Sequence, residues 1–184
     1  MLLRIVPIGN ISPQLLEAMA SGIRETARVR SKIMQPLQLP QDTFNRWKKQ
    51  YDAVKILEIL TQNREAQTID KELPTLFVTD ADVFYDRMNF LFGAYEPDKN
   101  CIMISTARLK TEYYEQRPNQ LILTERTVKE AIHQVGHYLG FEHCKYSSCI
   151  MYHSGSAGEI DKQGNDFCRE CKIRGQMRGI NLEL

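Results

Sequence analysis

Two runs of the chain carry the residue types that could do chemistry: HQVGHYLGFEHCKYSSCIM, from His133 to Met151, and CREC, from Cys168 to Cys171. His133 and His137 are four residues apart. On a helix their imidazoles leave one face about a turn apart and can converge on a single cation. Gly140 suits the left-handed conformation that ends a helix and turns the chain back, so that His143 can add a third nitrogen. Three protein ligands leave one position of a tetrahedral zinc ion open to water. Cys144 with Cys149, and Cys168 with Cys171, have the spacing of a closed four-thiolate zinc site. Two disulfides in a secreted protein are the competing reading. Against it, the leading apolar stretch MLLRIVPIG holds Arg4 and Pro7 and lacks a cleavage-site pattern, so a reduced, intracellular zinc site is expected. Cys144 adjoins His143, so the thiolate site would brace the third imidazole. Cys101, in CIMIS, reads as a buried strand residue.

The segment TERTVKEAIHQVGHYLG must position the first two histidines. Val128, Ala131, Ile132, Val135 and Leu139 recur at three- and four-residue steps, which predicts a helix with an apolar face. Arg126, Glu130, His133 and His137 fall opposite, toward a cleft. Thr124 is the expected N-cap, or Thr127 with Glu130 as a capping box if the helix begins one turn later.

The run from His133 to Cys171 resembles the archaemetzincin family of metzincin-type zinc metallopeptidases. There the metzincin histidine motif is followed at once by a four-cysteine zinc site, with a methionine two residues after the second cysteine. Met151 holds that place. The resemblance implies two zinc ions per chain: a catalytic one on His133, His137 and His143, and a structural one on Cys144, Cys149, Cys168 and Cys171. It also implies a supporting role for Gly140 and an apolar floor beneath the catalytic zinc from Met151. The implied activity is hydrolysis of peptide bonds by zinc-activated water. One position departs from the family. The glutamate that follows the first histidine in H-E-x-x-H polarises the attacking water, and this chain has Gln134 there. A neutral amide can hydrogen-bond water but cannot carry its proton. The expectation is an impaired zinc metallopeptidase, with a peptide-binding pseudoenzyme as the alternative. Glu130 and Glu142 are the carboxylates near enough in sequence to substitute, although a contact with solvent or with the groups behind the ligands is the expected role of each. Tyr152 is a candidate to stabilise an oxyanion, and His153 is expected to be an exposed turn residue.

The remaining elements predict an α/β fold of metzincin type: a twisted mixed sheet with packed helices and a small C-terminal portion organised by the cysteine site. A strand is expected near residues 2–7, then a helix from about Ser12 to Arg30 with Ser12 as N-cap and Pro13 in the first turn. Ile33 to Leu39 reads as a second strand and Asn45 to Thr61 as a helix. LPTLFVTD, NFLFGAYE and NCIMIST read as further strands, and a loop with Pro118 and Asn119 precedes the histidine helix. The whole is expected to form one domain, with an upper part of about residues 1–143 and a lower part of about 144–184. NFLFGAYE precedes CIMIST in the order in which metzincins place their cleft-edge strand, so the resemblance implies an exposed edge there that could pair an extended peptide, an ordinary sheet strand being the alternative.

A net charge of +1 over 184 residues argues against a nucleic-acid footprint. No run approaches the roughly 20 apolar residues needed to span a bilayer. Neither nucleic acid nor membrane is therefore expected as a partner; the resemblance implies a peptide or protein substrate, and the chain is expected to be a cytoplasmic monomer. The basic clusters FNRWKKQ and CKIRGQMR are read as a solvated helix face and a charged tail, and Trp47 as a packing residue.

Overall fold

A computed structural model describes residues 1–62, 73–86 and 88–182. In chain order the strands and α-helices are β1 (Leu2–Ile8), α1 (Pro13–Ala27), β2 (Arg30–Ile33), β3 (Phe44–Asn45), β4 (Gln50–Asp52), α2 (Ala53–Gln62), β5 (Thr75–Thr79), β6 (Val83–Phe84), β7 (Gly93–Glu96), β8 (Cys101–Ser105), α3 (Gln120–Tyr138), α4 (Ala157–Lys162) and α5 (Arg169–Met177).

The main sheet runs β2-β1-β5-β8-β7, parallel throughout except for the antiparallel pair β7–β8. Strands β5 and β8 are buried at every residue, as the near-continuous apolar runs of a parallel sheet covered on both faces require. Their side chains alternate. Leu76, Val78, Ile102 and Ile104 join Met19 and Ile23 of α1 and Ile132 and Val135 of α3 in one core. Phe77, Cys101 and Met103 join Ile56, Leu57 and Leu60 of α2 in the other. Strand β7 ends the sheet order, with β8 its one ladder partner among the described residues.

Several boundaries differ from the sequence reading. Helix α1 is capped by Ser12, whose side chain accepts from Leu15 N, but it stops at Ala27, where Arg28 turns left-handed at φ 58°, and Arg30 already begins β2. The second strand is thus Arg30–Ile33, and the expected stretch to Leu39 leaves only an isolated bridge between Leu37 and Ile8. The expected helix from Asn45 is a hairpin, β3–β4, as far as Asp52. The helix starts at Ala53 because Asp52 Oδ1 accepts from Val54 N and Lys55 N at 3.1 and 3.3 Å. Trp47 lies on the hairpin loop and is 97% exposed, so it is not a packing residue. In NFLFGAYE only Gly93–Glu96 is strand.

Helix α3 begins a turn earlier than expected. Asn119, not Thr124, is its N-cap, accepting from Ile122 N at 3.1 Å, while the Thr124 hydroxyl donates to the Gln120 carbonyl inside the helix. The polar side of α3 is covered as well. Arg126 forms a two-point pair with Asp161 at 2.7 Å, and the Lys129 ammonium donates to the carbonyls of Ile160 and Gln163. Buried charges are tolerated only when paired in this way. They pin α4 against the helix that carries the histidines.

Candidate metal centres and active-site cleft

Helix α3 places His133 and His137 one turn apart, and Gly140 ends it at φ +85°. Gly140 N–H bonds the His137 carbonyl and Phe141 N–H the Gly136 carbonyl, the paired bonds of a Schellman stop. The reversed chain delivers His143. Its Nε2 lies 3.2 Å from Nε2 of His137, which lies 3.0 Å from Nε2 of His133. A tetrahedral zinc ion with Zn–N bonds of about 2.0–2.1 Å holds its nitrogens roughly 3.3 Å apart, so this spacing fits zinc.

The ring orientations are set from behind. Nδ1–H of His133 donates to the Ile150 carbonyl at 2.8 Å, and Nδ1–H of His137 donates to the Phe141 carbonyl at 2.9 Å. A carbonyl can only accept, so both rings carry the proton on Nδ1 and aim the Nε2 lone pair at the common point. Burial pushes the pKa of all three rings below the usual histidine value, His143 to about 4 with help from His137 and His133. They are neutral, and therefore ligand-competent, at pH 7.

The four cysteines gather behind this centre. Sγ of Cys144 is 3.7 Å from Sγ of Cys168, and Sγ of Cys149 is 3.8 Å from Sγ of Cys171. All four donor atoms lie within 4.8 Å of one another. Disulfide sulfurs would be about 2.05 Å apart. A tetrahedral Zn–S₄ site with bonds of about 2.3 Å has an edge of roughly 3.8 Å, which these separations match. Burial pushes the Cys149 thiol up to about 11, so a cation is what would make it a thiolate at neutral pH. The Cys144 amide donates to the Met151 carbonyl at 2.8 Å, tying the cysteine group to the methionine turn as well as to His143.

Met151 is fully buried. It fits under α3 because residue 136 is glycine: a Cβ there would stand 2.3 Å from Met151 Sδ. Gln163, buried, braces the same turn by donating to the carbonyls of Ile150 and Tyr152 at 2.5 and 2.9 Å. Neither Gly136 nor Gln163 is identifiable from local sequence pattern, since each acts on a residue distant in the chain.

The three imidazoles open into a cleft of about 680 Å³. Its walls are Met88 and Phe90 to Tyr95 on one side and Tyr152 to Gly155 on the other. Gln134 and Glu130 also line it. Gln134 Nε2 donates to Glu130 Oε1 at 2.8 Å. Edge strand β7 lies directly on the pair, since a Cβ on Gly93 would approach Glu130 Oε1 to 2.5 Å and Gln134 Cγ to 2.7 Å. Burial raises the Glu130 carboxyl to about 7, although its bond from Gln134 works the other way. Glu142 is exposed and does not line the cleft. His153 is exposed, as expected, yet its ring centroid is 4.7 Å from that of His143 and it lines the cleft with Tyr152.

Fold and site together define a zinc-peptidase architecture. A solved structure of a zinc-dependent peptidase from Methanocorpusculum labreanum superposes with TM-score 0.84, covering 94% of this chain and 98% of that one, at 24% identity. The archaemetzincin of Archaeoglobus fulgidus superposes with TM-score 0.74 at 28% identity, covering 95% and 99%. The archaemetzincin of Methanocaldococcus jannaschii is 31% identical over 98% of this chain and 96% of its own length. Residues 23–176 match Peptidase family M54. The chain belongs to that family, the archaemetzincins, whose members are zinc metallopeptidases.

Proposed function

We propose that the chain is a zinc-dependent peptidase that binds extended peptides along β7 and cleaves them slowly, because Gln134 stands at the general-base position. Two zinc ions per chain fit the reading, one on His133, His137 and His143 and one on the four cysteines. Zinc held by three neutral imidazoles supplies Lewis acidity to a substrate carbonyl and lowers the pKa of water. The protein does the rest. The outer edge of β7, unpaired among the described residues, offers main-chain hydrogen bonds to a peptide, and Gly93 lets that backbone approach the floor of the cleft. Gln134 commits its N–H to Glu130, which leaves its carbonyl oxygen free to accept a hydrogen bond from water. It cannot take the proton, and general-base transfer is worth roughly 10²- to 10⁴-fold. Among the described residues lining the cleft, Glu130 is the one carboxyl, and a pKa near 7 suits a proton acceptor in neutral solution.

The observation that carries the reading is the convergence of three Nε2 atoms on the floor of a cleft edged by β7. The commitment of the Gln134 amide to Glu130 favours the second reading, a peptide-binding pseudoenzyme. Zinc-replete and metal-stripped chains, with His137→Ala as control, should be incubated with a peptide library and the products identified by mass spectrometry. Slow, zinc-dependent cleavage is expected. Peptide capture without any product supports the pseudoenzyme, and neither capture nor cleavage contradicts both.

A further inference from the structure

The hairpin β3–β4 has no part in the cleft chemistry, yet its loop is built to present one side chain. Arg46, Trp47, Lys48 and Lys49 are all exposed, Trp47 at 97%. A tryptophan is among the largest apolar surfaces a chain can leave in water, roughly 200 Å². Its exposure here is fixed. Asn45 Oδ1 accepts from the backbone N–H of both Trp47 and Lys48 at 3.0 Å, and Lys49 closes the loop in the left-handed region at φ 54°. Lys48 Nζ, from the loop, lies 4.1 Å from the Phe84 ring centroid, and the Gln50 amide donates to the Asn89 carbonyl at 2.9 Å, so the hairpin is tied to the body from both its loop and β4. Phe44, on β3, and Met88, next to Asn89, are also exposed large apolar residues.

The charge around the tryptophan is one-sided. Residues 41–55 hold four basic and two acidic side chains. One of those acids, Asp52, pairs with Lys55 at 3.9 Å. Among the described residues Arg46, Lys48 and Lys49 have no acidic partner. The other basic cluster differs: Lys172 pairs with Asp166, and Arg174 with Glu170. An aromatic tip flanked by cations that have no acidic partner matches an anionic lipid surface. Tryptophan favours the headgroup level of a bilayer, while lysine and arginine meet lipid phosphates. The loop carries one fully exposed ring, which suits insertion into a plane. A single nucleic-acid strand is instead bound in a groove that tracks its backbone, with several rings for stacking. Among the described residues no helix is long and apolar enough to cross a membrane. The expectation that no membrane is involved rested on whole-chain charge and apolar runs, and neither registers four residues clustered on a loop.

We infer that the Arg46–Lys49 loop is a peripheral docking site for anionic lipid headgroups, with Trp47 as the inserted side chain. The test uses the intact chain, and Trp47 is its only tryptophan, so fluorescence reports on this residue alone. Vesicles of phosphatidylcholine mixed with phosphatidylglycerol should shift its emission to shorter wavelength and carry the protein down on sedimentation. Vesicles of phosphatidylcholine alone should do neither. Neutralising each of Arg46, Lys48 and Lys49 should weaken vesicle binding by about fivefold, and Trp47→Ala should abolish sedimentation while leaving zinc content and thermal unfolding unchanged. A single-stranded oligonucleotide is the comparison arm. Quenching by the oligonucleotide with no response to anionic vesicles would assign the loop to nucleic acid and overturn the proposal. No response to either, or equal binding to both vesicle types, would also overturn it.

Discussion

Gln134 donates its amide to the buried carboxyl of Glu130, one helical turn away, over 2.8 Å. The pair makes stability depend on pH. Glu130 has an ordinary value of 4.5 and is raised to about 7 in the fold, chiefly by burial. A raised carboxyl contributes stability that is complete below about pH 4.5 and is lost as pH rises through about 7. Glu130→Gln keeps the shape but removes the charge. The variant should therefore gain on the parent progressively from pH 5 to pH 8, by up to roughly 3 kcal/mol. Denaturant melts of both chains across that range check the slope, and a constant difference would contradict a buried, titrating Glu130.

The approach of β7 to that pair depends on Gly93. In Gly93→Ala the new methyl meets Glu130 Oε1 and Gln134 Cγ inside contact distance, so the edge strand or the pair must shift. Overpacking of this kind costs about 1–3 kcal/mol. Affinity for a peptide hydroxamate should fall by about tenfold or more, as read by calorimetry, with zinc content unaffected. Unchanged affinity would place the peptide elsewhere than along β7.

Gly136→Ala tests the packing of Met151 against the helix that carries His133 and His137. Its Cβ would stand 2.3 Å from Met151 Sδ and 3.0 Å from Cε, so Met151 must leave its place against α3. A stability loss of about 1–3 kcal/mol is expected, together with faster loss of zinc to a chelator.

The two centres should differ in kinetics of metal loss. A zinc ion enclosed by the four thiolates would form part of the folding free energy, whereas one on the three imidazoles would face the cleft. Metal analysis during mild chelation should give a fast phase and a slow phase of one zinc each. Cys149→Ser should remove the slow phase and destabilise the chain. A single phase would argue against two distinct sites.

Much of the site was legible because its geometry is local. Helical spacing places His133 and His137, and one glycine and a short reversal bring in His143. The cysteine pairs likewise announce a cluster through their spacing. The hairpin is hidden because the apolar periodicity of AVKILEIL extends readily backward past Asp52, although that cap is visible in the sequence. The cover over α3 was invisible for another reason. Arg126 and Lys129 look like solvent-facing charges until Asp161 and the carbonyls of Ile160 and Gln163 arrive from more than 30 residues away. Gly93 and Gly136 are of the same kind, since their meaning lies in Glu130 and Met151 across the fold.

The most direct test is the turnover of Gln134→Glu beside the parent on one peptide library, with zinc content measured for both. The imidazoles, Gly140 and Met151 are already arranged, so restoring a carboxylate should raise peptidase activity by roughly two to four orders of magnitude without changing fold or zinc. Its pH profile should rise toward the alkaline side, because the introduced carboxylate would share a proton with Glu130. A variant no faster than a slow parent would contradict a cleft poised for hydrolysis, and a parent already as fast as an efficient variant would contradict the role given to Gln134.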